Sequence, residues 1–327
     1  MKMTIVRQGL LAASLGLAGL AALVTLTSRT TADTPLPARL ALSYKVDYLP
    51  QILAQEKGYF TARGLKVAPK VVTGGIEAAE AVTSGAADLA VMGEVPALIA
   101  TTAPNPAVIV ATYARDENRH RIITAPGSAI RVPKDLEGKR FAVQHGSSTH
   151  GGILMYCAKH KIDVKKITLV RLSPRDMPEA MASKQIDAMA GSEPWPTNVL
   201  KRNPQAKEFA VLSGLGCNYP LVLVAGRQYI RSQPEGITRA LLATQDAITL
   251  INAKPDDAAA VLAARTGLSP AQELASISKG TWALSLDTET LNGLKKMAKF
   301  LEGAGVLRGE PKWDRAIDSR YFKAMSR

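Results

Sequence analysis

The residues best suited to engage a ligand lie in one stretch, Val143-Gln144-His145-Gly146-Ser147-Ser148-Thr149-His150-Gly151-Gly152. It follows the apolar run Arg140-Phe141-Ala142-Val143 and precedes Ile153-Leu154-Met155-Tyr156, so it reads as a strand–turn–helix junction. The first N–H groups of a helix have no intrahelical acceptor, and the helix dipole favours negative charge beside them. With Gly146 allowing the turn and Ser147, Ser148 and Thr149 adding hydroxyl donors, the chemistry expected here is capture of an anion. The same residues also make an ordinary helix cap with nothing bound. His150 either faces the ligand or packs on its own helix. If it binds, its imidazolium favours an anion and affinity falls as pH rises.

Other candidate contacts are dispersed. Gly93-Glu94-Val95-Pro96 puts a carboxylate beside the expected anion site, so Glu94 either faces away to accept backbone N–H groups or meets a cationic part of a zwitterion. Trp195, after Glu193-Pro194, is placed to cover an apolar part of a ligand or to wedge between lobes. Tyr44 and Asp47 are polar residues of one loop, and Gly74 and Gly75 permit close backbone approach. Trp282 and Trp313 read as packing residues, and His120 and His160 sit in charged stretches that read as solvated. The four histidines lack metal-ligand spacing with a third ligand, so neither a metal nor another cofactor is expected. Ser148 and His150 are close in sequence, but a helix start does not place imidazole on hydroxyl, and no orienting acid accompanies them.

These residues need elements to bring them together. Apolar runs at 39–44, 65–72, 87–92 and 107–112 alternate with helical patterns, as do runs at 139–143, 167–171 and 186–190. That rhythm implies βαβ units and mostly parallel pairing. The charged segment Arg115–Arg121 interrupts it and reads as a crossing between two halves. Runs at 210–212 and 221–225 are placed to carry the chain back, and from 234 onward the pattern is helical. The expected fold is therefore α/β, a two-lobed clamshell with mixed sheets and a helical C-terminal tail. The expected division is a signal segment at 1–32, a first lobe at 33–120, a second lobe at 121–222 and a helical return at 223–327. Loops at the carboxyl ends of the strands would converge on one cleft.

The chain has 327 residues and a formal charge of +13. Residues 1–32 hold Lys2, Arg7 and Arg29 and no acid, so their removal leaves +10. The basic residues are scattered, and no zinc-finger spacing or aromatic RNA-binding motif accompanies them, so nucleic acid is not an expected partner. A short basic start, an apolar run from Leu10 to Leu26 and small residues at Thr30-Thr31-Ala32 read as a cleavable secretion signal, against an uncleaved membrane anchor as the other reading. No cysteine follows the run for a lipid anchor, which suits a periplasm. Cys157 and Cys217 are the only cysteines, and Cys157 reads as a small buried residue.

Several marks in order carry a family resemblance: Gln55-Glu56-Lys57-Gly58-Tyr59-Phe60 with Gly64-Leu65, Gly85-Ala86-Ala87-Asp88, Gly93-Glu94-Val95-Pro96, Asp135-Leu136-Glu137-Gly138-Lys139-Arg140, Gly146-Ser147-Ser148-Thr149-His150, Ile186-Asp187-Ala188 and Glu193-Pro194-Trp195. Across about 38–305 the chain resembles periplasmic substrate-binding proteins of ABC transporters, in the branch for aliphatic sulfonates, taurine, nitrate and bicarbonate. The resemblance implies the periplasmic-binding-protein (type II) fold, a passive monomeric carrier and delivery of cargo to a permease and ATPase complex. It also implies an anion at the helix start of Ser147, Ser148 and Thr149. The same fold family includes a pyrimidine synthase for thiamine that carries a cysteine-rich run, absent here. A regulator's effector lobe would need a helix-turn-helix where the signal stands.

Overall fold

The computed structural model describes residues 34–325, and the segment read as a secretion signal lies outside them. Strand β1 (Leu36–Leu42) leads through a 3-10 turn, Val46–Tyr48, into α1 (Leu49–Glu56) and α2 (Tyr59–Ala62). Then come β2 (Leu65–Val71), α3 (Gly75–Thr83), β3 (Leu89–Gly93), α4 (Glu94–Thr101) and β4 (Val108–Arg115). A second run comprises β5 (His120–Thr124), β6 (Arg140–Val143), α5 (Ser148–Lys159), β7 (Thr168–Arg171), α6 (Met177–Ala182), β8 (Ala188–Ser192), α7 (Trp195–Arg202) and β9 (Lys207–Val211). The return holds β10 (Leu221–Ala225), α8 (Arg227–Ser232), α9 (Pro234–Ala253), α10 (Pro255–Thr266), α11 (Pro270–Ile277), β11 (Thr281–Ser285), α12 (Thr288–Gly303), α13 (Trp313–Ala316) and α14 (Arg320–Ala324).

The strands form two mixed sheets, ordered β11-β4-β10-β3-β1-β2 and β7-β6-β8-β5-β9. In each, a parallel βαβ set is extended by antiparallel strands: β10 against β3 and β4, and β5 against β8 and β9. The interior strands β3, β4 and β10 are buried on both faces, which explains their unbroken apolar runs. The edge strand β2 carries Lys66, Pro69 and Lys70, residues that discourage pairing with a further strand. The chain crosses between the sheets twice, at 116–119 and at 212–220.

Both lobes are fastened in the same way. Asp88, just before β3, accepts from the Arg39 backbone N–H (2.8 Å) and its guanidinium (2.6 and 3.0 Å) midway along β1. Asp187, just before β8, does the same for Arg140 at the start of β6 (2.8, 2.7 and 3.1 Å). These aspartates stand among the sequence marks quoted above and have a structural role: each ties the amino end of one strand to its parallel neighbour.

The tail differs from expectation at β11, which pairs antiparallel with β4. Trp282 turns inward there and its Nε1 donates to the Ile277 carbonyl (3.0 Å), while Thr112 on β4 donates to the Ser285 carbonyl (2.8 Å). The strand is too short to show a period of two among helical neighbours. Helix α9 buries Ile237, Leu241, Thr244, Ile248 and Ile251 along one stripe, against the first sheet and α1. Helix α12 serves both lobes: its Leu294 packs in a first-lobe cluster, and its Met297, Ala298 and Leu301 join Val95 and Leu98 of α4 to the core of the second.

Candidate functional site

Between the lobes lies a cavity of about 50 Å³. A single water needs roughly 10–15 Å³ measured this way, so the space takes a few heavy atoms rather than a long chain. Its wall includes the starts of three helices: Gly74, Gly75 and Ile76 at α3, Gly93 at α4, and Ser147, Ser148 and Thr149 at α5. Trp195 at the start of α7 adds an aromatic wall. Four helix amino ends around one small space set up a positive potential without a net charge.

Arg119, in the first crossing, forms the floor and is 6% exposed. Its Nη1 donates to Asp47 Oδ1 (3.4 Å), its Nη2 lies 3.8 Å from Glu94 Oε2, and its Nε donates to His120 Nε2 (3.1 Å). Lys45 Nζ reaches the other oxygen of Asp47 at 2.7 Å. Burial pushes the Asp47 carboxyl upward, but Lys45 and then Arg119 outweigh it and hold it at about 2. Glu94 goes the other way: burial raises it, and Arg119 and Ser148 only partly counter that.

His120 is buried, correcting its reading as solvated. Burial, with Arg119 beside it, holds its pKa well below the usual value, so the ring is neutral. Because Nε2 accepts from Arg119, the proton sits on Nδ1, which is 2.8 Å from Thr149 Oγ1. The Thr149 hydroxyl therefore accepts from His120, and its own hydrogen is left to point elsewhere.

The junction before α5 divides its hydroxyls among different tasks. Ser147 caps the helix, accepting from His150 N (3.2 Å) and donating to the Gln144 carbonyl (2.6 Å). Ser148 donates to Glu94 Oε2 (2.8 Å), which binds the second lobe to the first. A Cβ on Gly93 would lie 2.2 Å from Ser148 Oγ, so the approach of the two lobes needs glycine at that position. Gly146 has φ +74° and makes the turn that lets Ser147 reach back.

Of the residues expected at the site, Asp47, Gly74, Gly75, Gly93, Ser147, Ser148, Thr149 and Trp195 line the cavity. The others stand elsewhere. Glu94 lies behind Ser148 and Arg119, 1% exposed, with Oε1 lacking a partner. His150 stacks on His145 (ring centroids 4.1 Å apart) and accepts from Gly146 N (3.3 Å), and burial lowers it to about 4. It is neutral and away from the cavity, so it offers no imidazolium to an anion. Tyr44 packs on the first core under Arg265. Glu193 pairs with Arg121 and accepts from Thr197 N (3.4 Å). Gln144, within the opening stretch, also lines the cavity, as do Lys45, Tyr48, Thr73, Arg119, His120 and Ser192, which carry no expectation of ligand contact in the sequence. The signal available for Arg119 was position: a crossing between clamshell halves lies at the cleft floor. Among the described residues no group of His, Cys, Asp or Glu could hold a metal ion, and both cysteines are free and buried.

Residues 45–258 match the family described as NMT1/THI5 like. In sequence the chain is 26% identical over 261 residues to an Escherichia coli (strain K12) protein named "Putative aliphatic sulfonates-binding protein", covering 79% of this chain and 80% of that one. Among solved structures it is similar to the alkanesulfonate-binding protein SsuA from Xanthomonas axonopodis pv. citri bound to MOPS, with TM-score 0.79 and 24% identity over 87% of this chain and 99% of that one. It is also similar to the periplasmic aliphatic sulphonate binding protein SsuA from Escherichia coli, with TM-score 0.75 and 20% identity over 87% and 92% of the two chains. The fold is that of the periplasmic binding proteins.

Proposed function

The chain belongs to the NMT1/THI5-like family, and from that premise we propose that it is the extracytoplasmic solute-binding component of an ABC importer. It holds a small organic anion, an aliphatic sulfonate or taurine, between its lobes and delivers it to a permease and ATPase complex. Residues 1–32 direct it to the periplasm and are cleaved. The observation that carries this reading is the convergence of the α3, α4 and α5 amino ends on one small cleft cavity. The free hydrogen of Thr149 and the Gln144 amide add donors, and Trp195 offers an apolar face to a short alkyl chain. A sulfonate, with three acceptor oxygens and one charge, suits donors that come from several directions and carry no net charge.

The protein acts without covalent chemistry. Cys157 and Cys217 are isolated, and burial pushes their thiols up to about 11 and about 12, which removes the thiolate that a nucleophile requires. Both nitrogens of His120 are engaged, so it activates nothing.

The test is a thermal-shift screen of the chain from Asp33 to Arg327 against alkanesulfonates, taurine, nitrate, bicarbonate and the thiamine pyrimidine. A ligand at about a hundred times its dissociation constant adds about 2.7 kcal/mol. The expected result is a shift with an organosulfonate that is lost, relative to the variant's own midpoint, in Thr149→Val. A shift only with a neutral heterocycle would replace the anion reading.

A further inference from the structure

Outside the inner cavity the cleft opens into a wider space of about 540 Å³, and the two share Thr73 and Gln144 in their walls. The second lobe supplies two guanidinium donors to this mouth, Arg171 at the end of β7 and Arg175 in the turn before α6, together with the ring of His145. Neither arginine forms an ion pair among the described residues, although most arginines buttressing this fold do. His145 Nε2 is buried without a partner. His145 is neutral, because burial and then the nearby Arg171 lower its pKa. The first lobe supplies an acceptor from the opposite side, Glu77 on α3, whose Oε2 is buried without a partner. Arg171, Arg175 and Asp176 are all exposed at the rim.

Two free cations on one wall call for a carboxylate, which arginine grips in bidentate fashion and to which the neutral His145 ring can turn an N–H. An unpartnered buried carboxylate oxygen on the other wall calls for a donor, since a buried acceptor left unmade is costly. A doubly anionic arm would meet Glu77 and Asp176 unfavourably, and a plain alkyl arm would leave all of these groups unused. We propose that the ligand carries, beyond the group held in the inner cavity, an outer arm of the α-amino carboxylate type. Arg171, Arg175 and His145 take its carboxylate and Glu77 takes its ammonium. The inner site fixes the class of anion, and the mouth selects among members of that class. An arm held by both lobes also ties them together, so recognition and closure coincide. This inference rests on the sulfonate reading of the inner cavity.

Calorimetric titration of the chain from Asp33 to Arg327 with propanesulfonate and with homocysteate separates the two. Homocysteate should bind about tenfold or more tightly than propanesulfonate. Arg171→Ala with Arg175→Ala, and separately Glu77→Gln, should remove that advantage while propanesulfonate binds as before. Propanesulfonate binding as well as homocysteate, or an advantage that survives the double substitution, overturns the inference and leaves the inner site intact. If neither sulfonate binds, the reading of the inner cavity falls and this inference with it.

Discussion

Arg119 and His120 show what a charged run in a sequence conceals. The segment 115–121 reads as a solvated crossing because nothing local distinguishes its arginines. The partners that bury Arg119, Asp47 and Glu94, lie 72 and 25 residues earlier in the chain, and only the fold brings them within reach. The hydroxyls of Ser147, Ser148 and Thr149 were legible as a group, whereas their separate duties were not, since each depends on a partner outside the junction except for the cap. His120 is the clearest correction, while His150 takes one of its two expected places, packed at its own turn, and carries a prediction. Its folded pKa, about 4, lies below the ordinary value of about 6.5. Between those values the unfolded chain binds the proton and the folded chain refuses it. The stability it contributes is therefore complete above about pH 6.5 and is lost as pH falls toward 4, by a few kcal/mol at most. His120, depressed in the same direction, adds to the loss. In His150→Gln, which can keep an acceptor for Gly146 N–H, the drop in urea midpoint between about pH 7 and pH 5 should shrink. An undiminished drop would assign the acid sensitivity to other groups.

At the level of elements, the parallel βαβ cores were readable because interior strands buried on both faces leave unbroken apolar runs between helical patterns. Strand β11 was hidden because five residues on a sheet edge, between helices, carry no resolvable period. The start of α5 illustrates how an element and a site share residues. Ser147→Ala removes the cap and should cost about 1 kcal/mol in denaturant unfolding. Because its hydroxyl is spent within the turn, ligand affinity should change by less than about tenfold, while Thr149→Val should affect binding more than its own unfolding midpoint suggests. Equal effects on binding from the two substitutions would mean that the cap hydroxyl also serves the ligand.

For the whole molecule, two sheets with matching arginine–aspartate fasteners are joined by chain crossings at 116–119 and 212–220. The position of the first crossing was visible in the sequence as a break in rhythm, and the role of α12 in both cores was not, since an amphipathic stripe does not say which lobes it serves. Ser148 and Glu94 already meet across the cleft, so bound ligand should hold the lobes at that contact against an open arrangement. Solution scattering should show a smaller radius of gyration with ligand than without, and superimposable curves would remove closure as the message read by a permease. The site itself has a further property. Lys45 and Arg119 face Asp47 and Glu94, so with Glu94 ionised the fixed charges around the cavity cancel, and attraction of an anion is left to peptide dipoles at contact range. Ionic atmosphere acts on net charge at a distance: its screening length falls from roughly 30 Å at about 0.01 M to roughly 3 Å at about 1 M salt. Propanesulfonate, which engages this inner cavity alone, should bind almost equally well in dilute and in briny surroundings, with dissociation constants within about threefold over that range. A steep decline with salt would reveal an unbalanced charge at the cleft.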